Sequence, residues 1–128
     1  MELKAGLSAI VTGGAAGIGR ALTIALAQKG IFVTIIDFSQ EKGIEAASLA
    51  EEEVRKIHAK LKFPAVLFFR CDVSNSNELA AAFRKHVETY GGLDICINCA
   101  GISNPLYFYE DLTALNLGGV LLISIWLQ

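Results

Sequence analysis

The chain has 128 residues, 53% of them hydrophobic, with 13 acidic against 11 basic side chains and a net charge of -2. That is one domain's length, with enough apolar material to bury roughly two-thirds of the surface its unfolded form exposes. Dispersed Lys and Arg on a near-neutral chain exclude a nucleic-acid-binding face. No stretch reaches the ~18 uninterrupted apolar residues of a membrane-spanning helix. The N-terminal "MELKAGLSAIVTG" lacks a signal peptide's apolar run and small-residue cleavage site, so a soluble, cytoplasmic chain is expected.

Leu7 to Thr12 ("LSAIVT") is a short apolar run ending in glycines, the pattern of a strand buried on both faces. Ile18, Ala21, Leu22, Ala25 and Leu26 then recur at helical spacing, and Gly30 is placed to stop that helix. "IFVTIID" is a second buried strand, and Ser39 is a cap for a charged helix reaching about Lys60. Pro64 precedes a third strand, "AVLFFRCD", and Ser74 or Asn75 opens a helix to about Tyr90, closed by Gly91-Gly92. "LDICINCAG" is a fourth strand. A closing helix is expected from near Asp111, taking in the apolar "LTALNLGGVLLISIWLQ" from Leu112 to Gln128.

This alternation implies an α/β fold: a Rossmann doubly wound parallel sheet with helices on both faces and right-handed crossovers. Residues 1–128 form a single domain without repeat or linker, ending with the helix that follows strand four.

Cys71, Cys96 and Cys99 are too few for a disulfide scaffold. Cys96 and Cys99 spell C-x-x-C, but a lone pair is half of a tetrahedral zinc site, and strand residues three apart point to opposite faces. Ordinary buried thiols are expected, and no metal site.

"TGGAAGIG" (Thr12 to Gly19) lies between the first strand and the first helix. Gly13 suits a tight turn, Gly17 a close backbone approach to a pyrophosphate, and Gly19 close helix–strand packing. The helix N-terminus adds free N–H groups and partial positive charge. Asp37 ends the second strand at the spacing expected of an acid that accepts hydrogen bonds from a dinucleotide's ribose hydroxyls. Its neighbours Phe38 and, in the loop, Ala16 are not basic, so nothing adjacent neutralises a 2′-phosphate and NAD is favoured over NADP. A glycine turn with an incidental acid, or a methyltransferase-type Rossmann domain, would share parts of this pattern. The latter usually has a shorter G-x-G-x-G loop.

At this point the residues resemble the short-chain dehydrogenase/reductase family. "TGGAAGIG" resembles its coenzyme fingerprint, which implies Gly13, Gly17, Ile18 and Gly19 along the phosphates. "CDVS" resembles the Asp-Val pair at the adenine, implying Asp72 and Val73. "GGLDICINCAG" resembles the family's N-N-A-G strand, implying Asn98, Cys99, Ala100 and Gly101 beside the coenzyme. "LNLGGV" resembles the stretch carrying the catalytic Asn, here Asn116. Asp37 and Phe38 fit an NAD-selecting, adenine-covering pair, and several segments look like an NAD-dependent subgroup with a short connection before that Asn. The resemblance implies hydride transfer between a secondary alcohol or ketone and NAD. It also implies a homo-oligomer built through the C-terminal helix; exposed instead, that apolar helix would favour aggregation.

Three departures stand out. Cys99 replaces the second Asn of the strand motif. No Tyr-x-x-x-Lys, the family's general acid/base and its partner, occurs in the 128 residues, and Ser124 comes too soon after Asn116 to be the catalytic Ser of the next strand. The competing expectation is therefore a non-catalytic truncated isoform or fragment that only binds NAD or a partner subunit. His58 and His86 sit in charged helical segments and are expected to be structural, and Glu51-Glu52-Glu53 reads as a solvated helix face. Tyr107, Phe108 and Tyr109 follow the end of strand four, where a substrate cleft opens in such folds, so they either line its mouth or simply pack the loop.

Overall fold

The computed structural model describes residues 2–99 and the strand Leu121–Ser124. Its elements are β1 (Ser8–Thr12), α1 (Gly17–Gln28), β2 (Phe32–Asp37), α2 (Gln40–Ile57), β3 (Val66–Arg70), α3 (Ser76–Tyr90), β4 (Ile95–Asn98) and β5 (Leu121–Ser124). The strands form one sheet in the order β3-β2-β1-β4-β5, and each pair is parallel. This is the Rossmann-like α/β arrangement expected from the strand–helix alternation.

Period-two alternation explains why the strands are apolar throughout. Ala9, Val11, Val33, Ile35, Ile95 and Ile97 pack on Leu26 and Ala27 of α1 and on Ala46, Ala50 and Val54 of α2. Ile10, Ile36 and Cys96 point the other way, onto Leu79, Ala82 and Phe83 of α3. Phe83 is fully buried, so its truncation to Ala is expected to cost about 3–5 kcal/mol.

Local chemistry sets the helix ends. Ser39 Oγ accepts from the Lys42 N–H at 3.4 Å. Asn75, not Ser74, caps α3, its Oδ1 accepting from the Asn77 and Glu78 N–H groups. α2 stops at Ile57, short of Lys60, where His58 leaves helical geometry and its Nε2–H donates to the Gly30 carbonyl at 3.0 Å. Glu51 departs from the expected solvated face: its Oε1 accepts from Arg55 and from the Ala65 N–H, tying α2 to the start of β3.

The largest correction is at the C-terminal end. The expected closing helix does not include residues 121–124, which form β5 beside β4 in the register Ile95↔Leu121 to Asn98↔Ser124. A short, wholly apolar run fits a buried strand or a buried helix equally by periodicity. The open N–H and C=O ladder of β4 decides for the strand. Ser124 thus ends the strand after β4 and not a turn of the expected helix. The rest of the expected helix, Asn116 included, and the aromatic trio Tyr107, Phe108 and Tyr109 lie outside the described residues.

His86 is a core residue. Its Nδ1 accepts from Thr34 Oγ1 at 2.6 Å, and its Nε2–H donates to Ser8 Oγ at 3.0 Å. Ser8 Oγ in turn donates to the Gly92 carbonyl, which assigns the Nε2–H tautomer. Burial lowers the His86 pKa to about 4, so the folded state holds it neutral while the unfolded chain protonates it near 6.5. Stability is therefore expected to fall as pH drops from about 6.5 to 4, by up to about 3 kcal/mol. Urea melts across this window check it: the slope should be present in the wild type and absent in His86→Gln.

Candidate coenzyme site

The site lies at the C-terminal edge of the sheet, where strand order reverses around β1, the place open α/β sheets bind ligands. As β1 ends, the chain turns through Gly13 (φ 69°) and Gly17 (φ 56°) into α1. The Gly13 N–H donates to the Ile36 carbonyl at 2.8 Å, anchoring the turn to β2. A Cβ at Gly19 would overlap the Gly13 carbonyl, so loop and helix pass closer than any side chain allows. No side chain caps α1 and its first turn carries no acid. The N–H groups of Gly17, Ile18 and Gly19 have no intrahelical partner and present a partial positive charge.

Asp37 closes the other side. Its Oδ2 accepts from the Ala15 N–H at 3.1 Å and its Oδ1 from the Ser39 N–H at 3.0 Å. One carboxylate thus links the glycine loop to the start of α2. Beyond β3, Asp72 Oδ1 accepts from both the Ser74 hydroxyl (2.6 Å) and the Ser74 N–H (2.9 Å). These bonds, the hydroxyl's first, hold the Asp72 carboxyl below the ordinary aspartate value.

A cavity of about 480 Å³ brings together Gly13, Asp37, Phe38, Asp72, Val73 and Cys99. Gly17, Ile18 and Gly19 are not among its walls; they open α1 after the turn at Gly13. Asn98 is buried below, its Oδ1 accepting from Thr12 Oγ1 at 2.8 Å, so it braces β1 against β4. Ala100, Gly101 and Asn116 lie outside the described residues.

The three thiols are buried and free. Cys96 packs in the α3 layer and Cys99 in the opposite one, which separates the C-x-x-C pair. Burial pushes Cys96 up to about 12 and raises Cys99. Burial, and then the Glu78 charge, push Cys71 up to about 11.

Two contributors escaped the sequence. Cys71 lines the cavity through its place after β3. Arg70 pairs in register with Asp37, and its guanidinium lies 5.0 Å from the Phe38 ring centroid. A basic residue therefore neighbours the acid across the strands after all. Neighbours in sequence could not reveal it; only the alignment of strand two with strand three does.

The family model for short chain dehydrogenase matches residues 8–124, and the chain belongs to that family. Among its relatives, 15-hydroxyprostaglandin dehydrogenase (NAD(+)) of Macaca fascicularis is 39% identical over 99 residues, covering 77% of this chain and 35% of that protein. The crystal structure of a short chain dehydrogenase from Bacillus anthracis superposes with a TM-score of 0.59 at 27% identity, over 76% of this chain and 35% of the other. The C-domain of a bacterial malonyl-CoA reductase, solved with NADP, gives a TM-score of 0.64 at 28% identity, over 75% of this chain and 15% of that one. The chain spans about a third of the length of the curated relatives it matches. Among the described residues, no helix is long and apolar enough to cross a membrane.

Gly19→Ala tests the loop–helix contact. It forces backbone apart, so a loss of about 1–3 kcal/mol is expected. Calorimetry should then show a melting temperature lower by at least about 3 °C.

Proposed function

We propose that this chain supplies the coenzyme-binding half of an NAD-dependent oxidoreductase that moves a hydride between a secondary alcohol, or its ketone, and the coenzyme. The observation that carries this is the convergence of Gly13 of the glycine turn, Asp37, Phe38 and Asp72 around one cavity, with the uncapped α1 N-terminus following that turn. Its volume suits a small-molecule site.

The residues present fit a dinucleotide. Gly17, Ile18 and Gly19 offer backbone N–H groups to a pyrophosphate, and the missing Cβ at Gly17, which faces open space, leaves that approach free. A carboxylate has about four lone-pair sites. Asp37 commits two to backbone N–H groups, leaving acceptors for the two ribose hydroxyls. Asp72 takes both Ser74 bonds on Oδ1, leaving Oδ2 for the amino group of adenine. Phe38 and Val73 supply apolar surface to the ring, with Cys99 beside the ribose and Ala100 and Gly101 given a coenzyme role by the family motif alone. Cys99 in place of a second Asn removes one neutral hydrogen bond, about 0.5–1.5 kcal/mol. Bound, the nicotinamide would supply the hydride acceptor or donor, and Asn116 would take the family's catalytic Asn role.

Asp37 favours NAD because its charge opposes a 2′-phosphate. Asp37→Asn keeps one backbone acceptor and removes the charge, so NAD should loosen and its preference over NADP should narrow. Isothermal titration calorimetry measures both; equal wild-type affinities for NAD and NADP would sink the role given to Asp37.

A second reading has its own observation. The 128 residues contain no Tyr-x-x-x-Lys, and general acid/base catalysis contributes typically ~10²–10⁴-fold. This chain by itself is expected to bind NAD without turnover. Incubation with NAD and a panel of secondary alcohols should give no growth of NADH absorbance, and steady growth would overturn that expectation.

A further inference from the structure

Phe38 stands at the mouth of the cavity with 65% of its surface exposed. A phenyl ring so open to solvent needs something to fix its orientation if it is to receive a flat ligand. Two cavities meet at it. The one lined by Gly13, Val73 and Cys99 has Phe38 as a wall but not Arg70. The second, of about 320 Å³, has Phe38 and Arg70 as walls together with Asn75 and Glu78. The two cavities share Phe38, Cys71 and Asp72; only the first reaches the glycine loop, at Gly13, and only the second reaches Arg70.

Arg70 reaches this position through strand register. Asp37 and Arg70 are paired across β2 and β3, so the arginine starts beside the residue that precedes Phe38. Its Nε–H donates to the Phe38 carbonyl at 3.2 Å, while its Cζ lies 5.0 Å from the ring centroid. One planar group thus holds both the backbone and the ring of Phe38. A lysine would offer a point charge and no fork to share between the two tasks.

We propose that Arg70 is a positioning residue for adenine, clamping Phe38 from behind so that the ring's free face is presented to the base of the coenzyme. This rests on the coenzyme reading above. It also gives the guanidinium a task other than binding a 2′-phosphate, although Arg70 is the basic residue that neighbours Asp37 across the strands.

The test is titration of NAD, NADP and ADP-ribose into the wild type, Arg70→Ala, Arg70→Lys, Phe38→Ala and the Arg70→Ala/Phe38→Ala pair, with a thermal melt of each. Arg70→Ala should weaken all three ligands alike, by about two- to fivefold, the range of an exposed cation–π contact. Lysine should not rescue it, and the alanine change should have no further effect once Phe38 is gone. Melting temperatures of the Arg70 variants should stay close to the wild type, since the side chain is at the surface. Three results would each overturn the clamp alone: a loss confined to NADP and rescued by lysine, additive losses in the double variant, or no loss at all. A wild type that binds none of the three ligands would instead overturn the coenzyme reading, and the clamp with it.

Discussion

The Gly13 carbonyl occupies the space where any side chain at position 19 would begin. That contact lets the glycine turn fold back onto the first turn of α1 and brings the helix N-terminus to the edge of the sheet. Other bonds hold the same turn from different elements. The Gly13 N–H is tied to β2 at Ile36, and the Ala15 N–H to Asp37. Within α1, the Thr23 hydroxyl donates to the Gly19 carbonyl at 2.9 Å. The loop is held from both the helix and β2, so its N–H groups are arranged before any ligand arrives. Such preorganisation lowers the ordering cost of binding.

The two ends of the sheet are built for different work. At the C-terminal edge, charged and apolar groups stand open around a cavity. At the opposite edge, rings close the structure: Phe32 stacks on Tyr90 with centroids 5.3 Å apart, Phe63 meets Phe32 edge-on, and His58 tilts against it. The Tyr90 hydroxyl donates to the Pro64 carbonyl at 2.8 Å, and burial, aided by the Glu51 charge, raises its pKa. Tyr90 is thus a structural tyrosine at the wrong edge for acid/base chemistry. The Ser8–His86–Thr34 chain joins β1, β2 and α3 by satisfied hydrogen bonds in an otherwise apolar layer. A satisfied buried polar group of this kind fixes how α3 seats on the sheet, because any slip leaves donors unpaired.

Much of this was legible in the sequence because it depends on local pattern. Apolar runs between glycine turns marked four strands, the caps at Ser39 and near Asn75 marked two helix starts, and "TGGAAGIG" followed by Asp37 pointed to the cavity that Gly13 and Asp37 line. What was not legible depends on distant partners. The apolar run Leu121–Ser124 has no polar face to settle helix against strand, and only the open ladder of β4 does so. His86 looked like part of a charged helix because its partners Ser8 and Thr34 lie on strands far away in sequence. Glu51 looked solvated until the Ala65 N–H was brought beneath it. Arg70 entered the site through register alone.

The charge around the cavity follows from the same register. Asp37 sits at the end of β2, Asp72 and Glu78 follow β3, and Arg70 lies among them. Two like charges about 4 Å apart at an effective dielectric of 20 repel by about 4 kcal/mol, which is what the proposed coenzyme reading asks of Asp37 against a 2′-phosphate. Proximity of a cation would relax that only if its donors were free to turn toward the phosphate. Arg70 is held at Phe38, with Nε on the carbonyl and its flat face against the ring, so under the proposed reading an acid that favours NAD and an arginine that shapes the adenine site would occupy neighbouring strand ends.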